Sequence, residues 1–379
     1  MMDIKHEIQC SGCTACANVC RHGAITMEAD SLGFFYPKVD ASACVDCGLC
    51  DTVCPFHPNY ERYDNYASPY PFAARIKDTD QLNKSQSGAL FYVIADYVLS
   101  SGGVIYGAAF DANWHVVHLA ATERETLESL RFSKYVQSDI RGVLLDIRNR
   151  LQLGDTILFT GTPCQVAGLK AYIPNRLHNK LICIDLICHG VPAPAIWENY
   201  LLYLAKKHHT RITKACFRDK SFGWRGARET FEFANGDKES RYTSNMLYFA
   251  GFSVRPSCTA CVFTNTSRIG DITLGDFWGI SQGARMNDNK GVSLVFVNSA
   301  KGEKVFSKVM LDLEVENITI EQSLQPQLKQ PTCFHPKREQ FVRDYEKYGF
   351  EYVGKKYGDM SYKYKIMDVL RRIKQALKR

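Results

Sequence analysis

Short unbroken apolar runs alternate with stretches of helical periodicity through the middle of the chain. Residues 104–110, 156–160, 181–187 and 292–297 are mostly apolar and end at Asp, Gly, Cys or Asn. Runs of this length read as strands buried on both faces. Residues 115–121 and 271–274 read as further strands. Residues 87–99 and 139–151 repeat apolar positions at the helical period, and Ser101-Gly102-Gly103 stops the first of these helices. Residues 165–171 and 301–311 predict two more. Strands alternating with helices predict an α/β core around a largely parallel sheet. After residue 211 the pattern turns β-rich, and Asn235-Gly236 between 230–234 and 238–242 predicts a hairpin. A core of this kind holds ligands beyond the carboxyl ends of its strands. Gly161-Thr162-Pro163-Cys164 and Cys188-His189-Gly190 are therefore candidate site loops.

Residues 1–60 follow neither period, and chemistry organises them instead. Cys10, Cys13, Cys16 and Cys20 repeat, 34 residues on, as Cys44, Cys47, Cys50 and Cys54, with Pro55 after the second run. The spacing C-x2-C-x2-C-x3-C suits cubane iron–sulfur clusters, because each short loop points its sulfur at a different iron. In two-cluster ferredoxins the fourth Cys of each run serves the other cluster. The expected sets are Cys10, Cys13 and Cys16 with Cys54, and Cys44, Cys47 and Cys50 with Cys20. Arg21, rather than Pro, follows the first run. A zinc site would show two separated CxxC pairs, and a disulfide knot suits a short secreted chain. Residues 24–27 and 34–36 predict short strands here. So little apolar core accompanies them that the clusters are expected to hold the unit together.

The expected organisation is a two-cluster unit at 1–60, a Tyr-, Asn- and Pro-rich linker at 61–83, a body at 84–340 with halves 84–160 and 161–340, and a basic amphipathic tail at 341–379. The net charge is +7, but seven Lys and Arg residues against Asp368 crowd between Lys363 and Arg379. The body is therefore nearly neutral and gives no case for nucleic-acid binding. The tail suits a solvated helix packed on the body or a partner better than a membrane-surface helix. Fifteen Cys behind a polar start point to metal ligation in a reducing cytoplasm.

Seven Cys lie outside the two runs. Cys164 and Cys188 sit in the two strand-end loops, and Cys258 and Cys261 form a CxxC in a polar loop. These four read equally well as ligands of a third cluster or as two inert core thiols plus a redox dithiol. Clusters carry single electrons, whereas most organic substrates take two, and a flavin is the common adapter. No G-x-G-x-x-G follows a strand. Ser85-Gln86-Ser87-Gly88 at a helix start and Lys134 could meet phosphates. Taken singly, a helix cap and a solvated charge explain them as well.

Taken together, Ser85-Gln86-Ser87-Gly88, Ser133-Lys134-Tyr135, Gly161-Thr162-Pro163-Cys164-Gln165, Cys188-His189-Gly190-Val191-Pro192, Arg218-Asp219-Lys220-Ser221-Phe222-Gly223-Trp224, Arg255-Pro256-Ser257-Cys258 with Cys261, and Gly275-Asp276-Phe277-Trp278-Gly279 resemble the family of coenzyme F-420 hydrogenase/dehydrogenase beta subunits, in the version with a fused two-cluster ferredoxin domain. The resemblance implies an α+β ferredoxin-like two-cluster domain followed by a mixed α/β flavin-binding core. It implies FAD near a third 4Fe-4S cluster on Cys164, Cys188, Cys258 and Cys261. It places Ser87, Gly88 and Lys134 near the FAD phosphates, and Thr162, His189, Asp276 and Trp278 near the flavin. The family usually has Gly where this chain has Ala89 and Phe132. The implied activity is that of an iron–sulfur flavoprotein oxidoreductase joining a ferredoxin-type redox partner to a two-electron substrate, with His189 as candidate proton donor. The competing readings are a non-enzymatic electron-transfer protein docking a partner oxidoreductase and a zinc-bearing interaction module.

Overall fold

The computed structural model describes residues 7–58, 60, 65–361 and 364. Residues 365–379, which carry the apolar face expected of the tail, lie outside the described residues. In the N-terminal unit, Ala15–Val19 (α1), Ile25–Ala29 (β1), Phe35–Val39 (β2) and Leu49–Thr52 (α2) follow in order. β1 and β2 pair antiparallel, and each four-Cys run winds through one of the two short helices.

The body begins earlier than expected. Tyr70–Ile76 (β3) and Thr79–Asn83 (α3) form inside the stretch read as a linker. Leu90–Ser100 (α4), Val104–Phe110 (β4), Val116–Ala121 (β5), Arg124–Leu130 (α5) and Val143–Leu153 (α6) follow. Ile157–Gly161 (β6) leads into Pro163–Tyr172 (α7), and Leu181–Leu186 (β7) into Pro194–His208 (α8). Pro163 at the first helical position suits a helix start, because a helix leaves its first N–H groups unpaired anyway. α7 therefore begins two residues before the expected 165. Ile212–Cys216 (β8), Glu229–Phe233 (β9) and Lys238–Arg241 (β10) form a separate antiparallel sheet around the Asn235-Gly236 turn. Thr243–Phe249 (α9), Ile272–Asp276 (β11), Ser293–Val297 (β12), Ala300–Val309 (α10), Leu313–Asn317 (β13), Ile320–Ser323 (α11) and Arg338–Lys356 (α12) complete the order.

The large sheet has eight strands in the order β13-β3-β12-β11-β7-β6-β4-β5. It is mixed, not largely parallel. Among its described strands, only β4–β6, β6–β7 and β7–β11 pair in parallel. β5 returns from β4 by a short connection, and β12, β3 and β13 add antiparallel on the other side. Parallel neighbours need long crossovers, which α5 and α6, then α7, then α8 and the small sheet supply. Elsewhere the connections are too short for that. The carboxyl ends of β4, β6, β7 and β11 consequently face one way.

The N-terminal unit has no private core. Leu32 and Phe34 are buried with Trp197, Tyr200 and Leu204 of α8 and Phe341 of α12. Cys13, Ala15 and Val53 pack with Leu144 of α6 and Val166 and Leu169 of α7. Burying Phe34 fully is worth about 1.5–3 kcal/mol. The unit is thus held by the body as well as by its thiols. The expected tail likewise begins inside α12, whose Phe341, Tyr345, Phe350 and Val353 are buried. Among the described residues, no helix is long and apolar enough to cross a membrane.

Candidate iron–sulfur and cofactor site

Three groups of cysteines converge. Cys10, Cys13, Cys16 and Cys54 line one small cavity of about 20 Å³. Cys20, Cys44, Cys47 and Cys50 line another of about 30 Å³. Each set draws three thiols from one run and one from the other. Ile25 packs between them, in one cluster with Cys16, Cys20, Cys50 and Cys54. The first set is the inner one, with Cys10, Cys13 and Cys16 buried, whereas Cys47 of the outer set is exposed.

The third group joins β6, β7 and the loop after α9. Cys164 follows the α7 N-cap Thr162, whose Oγ1 stands 3.2 Å from its Sγ. Cys188 follows β7 and accepts from the Gly190 N–H at 3.3 Å. Gly190 has φ +111°, and a Cβ there would meet the Cys258 Cβ at 3.2 Å, so only glycine lets these loops approach. Burial pushes the Cys188 thiol up to about 12, and the neighbouring Cys164 and Cys261 add to this. Burial also raises Cys258 well above its usual range, helped by Cys188, Cys164 and Cys261. Cys261 is pushed to about 11 by burial and by Cys164. Every pair in the group is close enough to repel as thiolates.

The inner set behaves alike. Cys13 is raised to about 12 by burial, with Cys54, Cys10 and Cys164 contributing. Cys16 is raised by burial and by Cys13, Cys10 and Cys54. Cys13 thus faces both its own set and Cys164, and Gly168 of α7 admits this approach. A Cβ on Gly168 would lie 2.7 Å from the Cys13 Sγ. Buried thiols that repel one another ionise only when a metal takes the charge. Among the described residues, no three His, Cys, Asp or Glu side chains are grouped to hold one metal ion. A cubane gives each thiolate its own iron, so its four sulfurs stand wider apart than the ligands of a single ion. The donor sets fit clusters.

Beyond the third group lies a cavity of about 510 Å³ at the carboxyl ends of the parallel strands. This volume lies in the range of small-molecule and cofactor sites. Cys188 forms part of its wall, as do Ser87, Lys134, Thr162, His189, Asp276 and Trp278. Gly88 stands behind the wall. Its N–H donates to Ser293 Oγ and its carbonyl accepts from the Ile76 N–H, each at 2.9 Å, tying it to β12 and β3. The role expected for Gly88 at a ligand is therefore not matched by its position. Burial lowers Lys134 to about 7, and its ammonium donates to backbone carbonyls, among them Ser129 at 2.9 Å. Ser87 donates to the Val292 carbonyl at 2.8 Å. Asp276 accepts from Arg218 at 2.6 Å and from the Trp224 indole at 2.7 Å. Trp278 stacks on Trp224 at 5.2 Å, with the planes 8° apart.

The Gln327 amide donates to His189 Nδ1 at 2.6 Å. The ring hydrogen of the neutral imidazole therefore sits on Nε2, which is buried without a partner among the described residues. Burial lowers the His189 pKa, which keeps this neutral form. Four further lining residues, Gln86, His118, Thr160 and Gln325, also hold a buried polar atom without such a partner. Orphaned polar atoms are costly unless a ligand or water meets them. His118 donates from Nε2 to the Thr160 carbonyl at 2.9 Å, and burial drops its pKa to about 4. Its place in the wall had no signal in the sequence, where it is one polar residue in a strand. Arg131 and Arg218 add positive charge to the wall. Basic lining and orphaned polar atoms fit a polar, anionic ligand with a planar part.

Ala89 and Phe132 both line the cavity at positive φ, +66° and +67°. Glycine would be unstrained at either position.

The fold and site define a class: a ferredoxin-type unit docked on a mixed α/β body, with cysteine groups leading to a cofactor-sized cavity. Residues 9–57 match the 4Fe-4S dicluster domain family, and residues 154–322 match the family of the C terminus of the coenzyme F420 hydrogenase/dehydrogenase beta subunit. The chain is 24% identical over 322 residues to the protein named as the F subunit of the F(420)H(2) dehydrogenase of Methanosarcina mazei, covering 82% of this chain and 85% of that protein. It also overlays, at 18% identity and a TM-score of 0.48, on a chain of the F420-reducing [NiFe] hydrogenase complex from Methanosarcina barkeri, covering 78% of this chain and 94% of that one. The protein thus belongs to the coenzyme F420 hydrogenase/dehydrogenase beta-type family and carries a 4Fe-4S dicluster domain.

Proposed function

We propose that the chain is an iron–sulfur flavoprotein oxidoreductase that moves electrons between a ferredoxin-type partner and a two-electron substrate, with three 4Fe-4S clusters and FAD. The observation that carries this reading is the continuity of the thiol groups. The outer set reaches the surface at Cys47, the inner set approaches the third through Cys13 and Cys164, and Cys188 of the third set walls the cavity. Cys10, Cys13, Cys16 and Cys54, Cys20, Cys44, Cys47 and Cys50, and Cys164, Cys188, Cys258 and Cys261 would hold the clusters. FAD, when bound, joins one-electron carriers to a two-electron substrate.

In this reading Lys134 and Arg131 meet the cofactor phosphates. Lys134 is desolvated with no carboxylate among its described hydrogen-bond partners, so an anion would restore its charge. α7 presents its N-terminus at Thr162, which adds positive potential. Trp278 offers a flat apolar wall. His189 presents Nε2–H as a hydrogen-bond donor, and a neutral imidazole polarises a ligand atom better than it protonates one. Asp276 acts through Arg218 and Trp224, fixing the wall that carries Trp278. The substrate enters as a small molecule, and the redox partner docks near Cys47. A relative named as one subunit of a dehydrogenase supports a partner in a larger assembly.

Anaerobically purified protein should carry about twelve irons, four for each of three clusters, and one flavin. Full iron without flavin, in protein that passes electrons only to another protein, would instead make the chain a non-enzymatic electron-transfer protein.

A further inference from the structure

Arg255 is fully buried. Its guanidinium donates to the Cys10 carbonyl, the Phe35 carbonyl and Gln137 Oε1, each at 2.8 Å, and to the Cys10 Sγ at 3.7 Å. It lies 4.3 Å from the centre of the Tyr36 ring and 5.2 Å from that of Phe34. Its backbone N–H holds the Val191 carbonyl at 2.9 Å, and Cys258 follows three residues later. Among the described residues, none of its hydrogen-bond partners is a carboxylate. Asp30 feels its charge but spends its own oxygen on the Leu32 and Phe34 N–H groups. The contrast with Arg268 is direct. That arginine, beside the third set, pairs with Asp185 at 3.3 Å. The outer set has Asp46 and His22 in its described lining, and no Arg or Lys.

A buried guanidinium is stable only with a counter-charge. The groups available to Arg255 are the thiols beside it. A cubane on four thiolates is anionic, and its reduction adds one more negative charge. A fixed cation and a hydrogen bond to a ligand sulfur both favour the reduced form.

We propose that Arg255 is the counter-charge of the inner cluster, held by Cys10, Cys13, Cys16 and Cys54, and raises its reduction potential above that of the outer cluster. An electron delivered at Cys47 then settles inward, next to Cys164. This rests on the three-cluster reading under Proposed function. Arg255 is a positioning and tuning residue, and Gln137 orients it while donating to the Ser11 carbonyl at 2.9 Å.

The test is an anaerobic potentiometric titration of the whole protein, followed by electron paramagnetic resonance, with iron counted in each sample. The variants are Arg255→Lys, Arg255→Gln and Gln137→Glu. The last keeps the guanidinium and sets a carboxylate against it. In wild-type protein the N-terminal signals should appear at two separate potentials. Arg255→Gln and Gln137→Glu should each lower the higher one by at least tenfold in equilibrium constant, about 59 mV for a one-electron couple. Arg255→Lys should keep most of the wild-type value, and the lower potential should not move in any variant. With iron unchanged, a higher potential that stays within threefold of wild type in both charge-altering variants overturns the proposal. Loss of the inner signal in both variants does so too, since the guanidinium would then be an anchor only. Wild-type protein lacking both N-terminal signals would instead remove the cluster reading itself.

Discussion

The thiol cavities of the N-terminal unit and the large cavity of the body are built on opposite principles. The first two hold about 20 and 30 Å³, and four cysteines in each set their chemistry. The third holds about 510 Å³ and draws its wall from residues as far apart as Ser85 and Gln327. A cluster bonds covalently to its protein, so residue type and spacing are fixed and no other donor will serve. A cofactor held by contacts and hydrogen bonds needs only a shape, a charge and a few polar atoms. Many sequences supply those, from strand ends, helix starts and stray side chains. The first kind of site resists substitution; the second should yield by degrees. Four substitutions probe that contrast.

The largest effect is expected at Cys258. Cys258→Ser should lower iron from about twelve to about eight per chain while leaving the N-terminal signals in place. Unchanged iron would mean that Cys164, Cys188, Cys258 and Cys261 are not a ligand set. Next is Lys134→Gln, which should weaken flavin retention about 10–100-fold, the worth of a charge-assisted hydrogen bond. The pH dependence has a definite sign. Burial lowers Lys134 to about 7, so above that pH the ligand-free lysine is neutral. Binding an anion there requires a proton to be taken up, and wild-type affinity should fall as pH rises from about 7. The variant's affinity should be flat over the same range. Equilibrium dialysis of flavin across pH reads both.

Gly168→Ala probes the seam between the two regions. The added methyl would sit 2.7 Å from the Cys13 sulfur, which has no freedom to move once it is a ligand. A loss of about 1–3 kcal/mol is expected, seen as earlier thermal bleaching of the iron–sulfur chromophore. A variant as stable as wild type would mean that α1 does not press on α7 as described. The smallest effect is at Phe132. Its φ of +67° carries strain that glycine would relieve, less the entropy that glycine costs on folding. Phe132→Gly should stabilise by about 0.5 kcal/mol in denaturant titrations.

How much of this could be read from residues follows the same division. The crosswise sorting of the eight N-terminal cysteines follows from spacing, because bond geometry dictates it. Residues 104–110 were legible as a strand because a doubly buried strand is apolar throughout, and the hairpin because Asn-Gly turns one way. β3 was not, since Tyr70-Pro71-Phe72 resembles a linker and only pairing between β12 and β13 makes it a strand. β13 alternates Leu, Glu, Val and Glu, which an edge strand tolerates. α8 had a readable signal in Ile196, Trp197, Tyr200, Leu201 and Leu204, which share one helical face. His118 and Arg255 had none. Each matters through what the fold puts beside it: an unmet buried nitrogen in one case, a cysteine thiol in the other. Gly88 shows the reverse, a residue with a motif's look whose backbone ties two strands together.

The central claim is that electrons reach the cavity by way of the third set of cysteines. Rapid mixing of the oxidised, flavin-loaded protein with a reduced ferredoxin, under anaerobic conditions, tests it directly. The yellow flavin band should bleach after the N-terminal clusters are reduced, and in flavin-loaded Cys258→Ser protein it should bleach far more slowly while those clusters reduce at the wild-type rate. Equal flavin bleaching in the two proteins would contradict the claim.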